Sequence, residues 1–99
     1  MSEAVPAFLQ LKVFTPQKLL VEEDVQEVSL PSLEGLLGIL PGHRPLLVVL
    51  GDGDLSCKSA HKERTFTVSG GYAEVQTDSV RVFTRLKDKN GQESDQGRG

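Results

Sequence analysis

The sequence predicts an all-β fold, an antiparallel sandwich or barrel, on three observations. Short runs alternate apolar and polar residues, clusters of Gly, Pro, Ser, Thr and Asp separate those runs, and a helical spacing of apolar residues is nowhere sustained. With 99 residues the chain makes one domain at most. A domain of that size buries only about 60 to 70% of the surface its unfolded chain exposes, so nearly every strong apolar residue is needed for the core.

In "FLQLKVFT" the residues Leu9, Leu11 and Val13 share one face and Gln10 and Lys12 the other, as a half-buried strand requires, and Thr15-Pro16-Gln17 ends it. "KLLVEE" reads as a second strand. "VQEVSL" reads as a third, with Val28 and Leu30 on a face with Gln26, until Pro31-Ser32 interrupts the ladder. Next comes "SLEGLLGILPGHRPL", Ser32 to Leu46, where Leu36, Leu37, Ile39 and Leu40 are broken by Gly38 and stopped by Pro41-Gly42. That run is more apolar than one turn of a small sandwich can bury, and exposed apolar surface on a soluble chain marks a partner site.

"PLLVVL" places Leu46, Val48 and Leu50 on one side and Leu47 and Val49 on the other, which predicts a strand covered on both faces. "GDGD" should turn the chain, and "LSCK" and "RTFTV" should pair around Ser59 to Glu63 with Phe66 and Val68 inward. Ser69-Gly70-Gly71 breaks the pattern again. "YAEVQ" and "SVRVFT", joined at Thr77-Asp78, form a closing hairpin with Ala73, Val75, Val80 and Val82 inward. Strand order stays open at this level. These elements place an ordered domain at residues 1–85. From Leu86 the chain has one large apolar residue among charges, amides and glycines, so 86–99 is expected to be a disordered polar tail.

Composition excludes several classes. A formal net charge of −3 gives no electrostatic reason to approach nucleic acid. Cys57 is the only cysteine, which rules out an intrachain disulfide and a thiolate-rich metal site and fits a reducing compartment such as bacterial cytoplasm. "MSEAVPAF" does not read as a signal peptide, and no apolar stretch reaches the roughly 18 residues of a membrane span. Any membrane association should run through a partner.

Catalysis would need His43, His61, Ser69 and some of Asp52, Asp54 and Asp78 within hydrogen-bond reach. Ser69 does not sit on a nucleophile elbow, because that motif needs glycine two residues to either side and Thr67 and Gly71 occupy those positions. "GDGDL" lacks the alternating oxygen ligands of a calcium loop, so it reads as a turn. No glycine pattern of a phosphate cradle occurs. Lys58, Lys62 and Arg64 read as charges keeping a β edge soluble. No catalytic residue, metal ligand or cofactor is expected.

Four segments then carry a resemblance. "EGLLGILPGHRPL" strongly resembles the E-G-E-L-G segment running into P-G-H-x-P-L in the epsilon subunits of rotary F-type ATP synthases. "LKVFTPQKLL", "VQEVSLP" and "VSGGYAEV" resemble that family's opening strand and turn, third run, and S-G-G hairpin, in the same order, so the likeness spans Leu9 to Arg85. It implies a flattened ten-stranded β-sandwich of two five-stranded sheets. It also implies a non-catalytic rotor subunit of the central stalk, which docks the gamma subunit to the c ring and couples ion-driven rotation to ATP synthesis. Such a subunit would lie at the cytoplasmic face of a bacterial inner membrane and touch the membrane only through the complex.

Matched position by position, Glu34 and Gly35, with neighbouring Ser32 and Leu33, take the place of the loop that meets the c ring. Pro41, Gly42 and His43, with Leu46 on the following strand and Thr15 at the end of the first, take the place of the gamma contact. Two departures stand out. Leu36 occupies the position of the family's second glutamate, which makes the rotor contact more apolar, and no C-terminal pair of helices follows, only the polar tail. Inhibition of ATP hydrolysis and ATP binding, which those helices carry, are therefore not assigned to these residues. A naturally short subunit and a truncated chain both fit this tail, and the lack of a tag or an interrupted helix favours the former. The rival readings are a free-standing β-sandwich adaptor that binds through Leu36 to Leu40 and a small hydrolase using His43 or His61.

Overall fold

The computed structural model describes residues 5–87. They form nine strands: β1 (Leu9–Phe14), β2 (Leu19–Val25), β3 (Glu27–Ser32), β4 (Gly35–Ile39), β5 (Leu46–Val49), β6 (Asp52–Lys58), β7 (Glu63–Ser69), β8 (Tyr72–Val75) and β9 (Ser79–Phe83). The first sheet has the order β2-β1-β9-β8-β5 and the second β4-β3-β6-β7. Where the resemblance implied five strands in each sheet, the second has four among the described residues. The remaining edge of β7 is covered by a shorter piece: the Ser69 and Lys87 N–H groups donate to the Arg85 and Thr67 carbonyls, and Leu86 bridges Val68. Leu86 also packs against the core, so at least this residue of the expected tail is ordered. The tail beyond Lys87 lies outside the described residues.

Period-two alternation builds the core. Leu9, Leu11 and Val13 of β1 are fully buried, and so are Val28 and Leu30 of β3, Leu55 of β6, Val75 of β8, and Val80 and Val82 of β9. Burying each such side chain stabilises the fold by about 1.5–3 kcal/mol relative to leaving it in water. The closing hairpin pairs Ala73 with Val82 and Val75 with Val80, as expected. One pairing is parallel: β1 lies beside β9, with Leu11 opposite Val80 and Val13 opposite Val82, which joins the two ends of the domain through a single apolar layer. At the β1–β2 ladder the register shifts, so that Val13 faces Val21 and Phe14 faces Leu19. Leu20 is the extra residue and turns toward the core.

Several expectations are corrected. Residues Gly35 to Ile39 are a strand, not a broken run, and pair with β3 so that Leu37 and Ile39 face Leu30 and Val28. Pro31 lies inside β3 rather than interrupting it. N–H and C=O of one residue leave a strand on the same edge, and the Pro31 carbonyl accepts from the Gly51 N–H at 2.8 Å, so the donor it lacks was never needed by β4. Gln26 is exposed and precedes that strand. "GDGD" does not turn the chain, since Asp52 to Asp54 open β6 and pair with Ser69 to Thr67 of β7. Finally, β5 is covered on one face only: Val48 is buried, whereas Leu47 and Val49 are 63% and 55% exposed.

A polar tie bridges the two sheets at their β2 and β7 edges. Arg64 Nη1 of β7 donates to Glu23 Oε1 of β2 at 3.2 Å, and the buried Cys57 thiol of β6 donates to the other Glu23 oxygen at 3.7 Å. The Arg64 guanidinium also lies 5.1 Å from the Phe66 ring centroid. Burial, and then the neighbouring Glu23 carboxylate, push the Cys57 thiol above its ordinary value.

Candidate docking site

The β3–β4 hairpin tip is the most sharply built exposed feature. Ser32 Oγ accepts from the Glu34 N–H at 3.2 Å and donates to the Gly35 carbonyl at 2.6 Å, closing the turn on itself. Gly35 completes it with φ of 122°, a conformation an L side chain rarely adopts. The Leu33 N–H donates to the Val49 carbonyl at 3.1 Å, and Ser32 bridges Leu50. Those contacts latch the tip of the second sheet onto the edge strand of the first. Leu33 is left 69% exposed, and Glu34 is exposed beside it. The four residues expected to face one partner thus form one structural unit. Between this tip and β5 runs a cleft of about 350 Å³, lined by Leu33, Glu34, Leu37, Leu46 and Leu47 among others.

The second expected set is divided. Phe14, Phe83, Tyr72 and Val49 lie abreast across the first sheet, at the same end as the hairpin tip. Thr15 follows Phe14 at that end. Its N–H and hydroxyl donate to the Lys18 carbonyl at 2.9 and 3.3 Å, which engages both groups in the β1–β2 turn. Pro41, Gly42 and His43 sit at the far end, where the Gly42 N–H donates to the Thr77 carbonyl at 2.8 Å. His43 Nδ1 lies 2.8 Å from the Arg44 carbonyl, which can only accept, so Nδ1 carries the proton. Leu46 starts β5 from that end and packs partly against the core.

Residues not singled out from the sequence connect these pieces. On the outer face of the first sheet Val49, Tyr72, Phe83 and Phe14 make an apolar row, with Phe14 stacked on Phe83 and Phe83 on Tyr72, both at centroid distances of 4.9 Å. Beside it Leu47 leads into a charged row in which Arg81 pairs with Glu74, and Lys12 with Glu22 at 3.9 Å. The row was hidden because its members come from four strands far apart in the chain. Each alternation was readable; which outward residues become neighbours was not.

The residues that catalysis would require are not assembled. Ser69 pairs with Asp52 at the tip end, whereas His61 lies in the β6–β7 turn and His43 in the β4–β5 connection, both at the other end. Asp54 accepts from the Thr67 hydroxyl at 2.9 Å and Asp52 pairs with Lys87 at 3.0 Å. Among the described residues no group of three or more His, Cys, Asp or Glu is placed to hold a metal ion.

The chain is 44% identical over 85 residues to an ATP synthase epsilon chain of Solibacter usitatus, covering 86% of this chain and 63% of that one. It is 36% identical over 76 residues to an ATP synthase epsilon chain of Leptospira interrogans, covering 77% of this chain and 60% of that one. It thus spans less than two thirds of the length of either relative. Among solved structures it is similar to a chain of the Euglena gracilis mitochondrial ATP synthase OSCP/F1/c-ring assembly, with TM-score 0.77, 28% identity, and coverage of 85% of this chain and 54% of that one. A chain of the Tetrahymena thermophila mitochondrial ATP synthase central stalk and c-ring shares the fold, at TM-score 0.69 and 19% identity over 91% of this chain and 73% of that one. Residues 8–86 match the model of the ATP synthase delta/epsilon chain β-sandwich domain, and the chain belongs to that family.

Proposed function

We propose that this chain is the β-sandwich part of a non-catalytic central-stalk subunit of an ATP synthase, a joint that holds a gamma subunit against a c ring. In this reading Ser32, Leu33, Glu34 and Gly35 meet the ring, and rotation driven by ion flow reaches the catalytic head through the sandwich. The observation that carries it is the latched hairpin tip, which presents an apolar side chain and a carboxylate at one end of the sandwich and is hydrogen-bonded to the first sheet. A torque-bearing contact needs such a tip, because a loose loop would yield before it transmitted force. The carboxylate supplies register and orientation, and the apolar part supplies most of the driving force.

The gamma contact in this proposal follows an L-shaped surface. One arm runs along β5, from Pro41, Gly42 and His43 past Leu46 to Leu47 and Val49. The other crosses the aromatic row to Phe14 and reaches Thr15. This path explains how residues at opposite ends of the first sheet can serve one elongated partner. The complex would sit at the cytoplasmic face of a bacterial inner membrane, with this subunit peripheral to it. Reconstitution with gamma and the c ring tests the ring contact: Glu34→Arg should leave folding intact and weaken docking and coupling together. Undiminished binding and coupling would refute it.

A further inference from the structure

We infer that Ser32, beyond its place in the ring-facing tip, is a positioning residue that sets the direction in which Glu34 is presented; this rests on the ring-facing reading of the hairpin tip. Among the described residues, the Ser32 hydroxyl is the side-chain group bonded to the backbone of this turn: it accepts from the Glu34 N–H at 3.2 Å and donates to the Gly35 carbonyl at 2.6 Å. Both bonds bracket Glu34, one at its own amide and one at the next carbonyl. Such a hydroxyl bridge competes with other backbone conformations and selects one turn. Either side of it the chain is already held, by the Ser32 bridge to Leu50 and the Leu33 N–H bond to the Val49 carbonyl on one side and by β4 on the other. The free segment is therefore short, and the serine governs what remains of its freedom.

Removing the hydroxyl leaves Glu34 present and charged but dispersed over several orientations. Partner binding must then order the carboxylate, so affinity falls although Glu34 itself is unchanged. Losing the net contribution of one or two partly exposed hydrogen bonds corresponds to roughly 3- to 10-fold in affinity.

A double-mutant cycle decides the matter: Ser32→Ala, Glu34→Gln and the double variant are each titrated against an assembled gamma–c-ring complex, with Ser32→Thr as the conservative control and melting temperature recorded for all. The expected result is a roughly 3- to 10-fold loss for Ser32→Ala, recovery with Ser32→Thr, and no further loss when Ser32→Ala is added to Glu34→Gln. A purely structural serine would lower the melting temperature but give additive effects on binding, which overturns the proposal. If Glu34→Gln weakens binding and Ser32→Ala does not, the proposal fails while the ring-facing reading stands. If Glu34→Gln itself has no effect the proposal fails, and the ring-facing reading fails with it where Glu34→Arg also binds undiminished.

Discussion

Replacing Gly71 with alanine should be far more damaging than the same change one residue earlier. A Cβ at Gly71 would lie 2.0 Å from the Phe83 carbonyl oxygen, and the residue holds φ at 103°. The obstacle is backbone in the centre of the first sheet, so it cannot swing aside as a side chain would. Strained backbone of this kind costs about 1–3 kcal/mol and forced overpacking about another 1–3 kcal/mol. The sum is a large fraction of the roughly 5–15 kcal/mol that stabilises a whole domain. At Gly70, φ is 68° and a Cβ would meet nothing within 4 Å, which leaves only the left-handed cost of about 1–2 kcal/mol. Urea unfolding followed by circular dichroism measures both. Gly71→Ala should lower the midpoint by on the order of 2 M, for a slope of roughly 1–3 kcal/mol per molar, and Gly70→Ala by well under half of that. Equal losses for the two variants would refute the claim that close backbone approach, rather than turn conformation, is what the second glycine provides.

Other consequences can be checked independently. Tyr72→Ala should weaken binding to a gamma subunit about fivefold or more in calorimetric titration, because a central aromatic anchor is lost, while its stack on Phe83 accounts for only about 0.5–1.5 kcal/mol of stability; unchanged affinity would remove the aromatic row from the docking surface. Cys57 links stability to alkaline pH. Its folded thiol titrates above the ordinary value of 9.0, so the unfolded chain loses its proton first, and this contribution is whole below that value and declines as pH rises through it. Denaturation midpoints measured on either side of that pH should fall less steeply in Cys57→Ala than in the parent chain.

The strands that the sequence displayed best are those whose burial is a local matter. Leu9-Leu11-Val13 and Ala73-Val75 with Val80-Val82 alternate cleanly, and each alternation survives in the structure with those residues buried. The β4 strand was obscured because Leu36 and Leu37 are adjacent and Gly38 breaks the pattern, although Leu37 and Ile39 do share the inward face. The hairpin tip could be located by its likeness to a known segment. Its rigidity could not, since it depends on Val49 and Leu50, which reach the tip only through sheet stacking.

By itself, then, the sequence determined an all-β domain, most of its strands, the inward face of each and the family to which they belong. Those follow from the two-residue period of a pleated strand and from the order of short motifs, both of which lie along the chain. Only the tertiary structure decided that β1 lies parallel to β9, that the outer face of β5 is open, and that Val49, Tyr72, Phe83 and Phe14 form one row leading toward Thr15. The physical reason is that a side chain's direction is set by its own backbone, whereas its neighbours are set by strand order, and strand order is fixed by pairings between residues tens of positions apart.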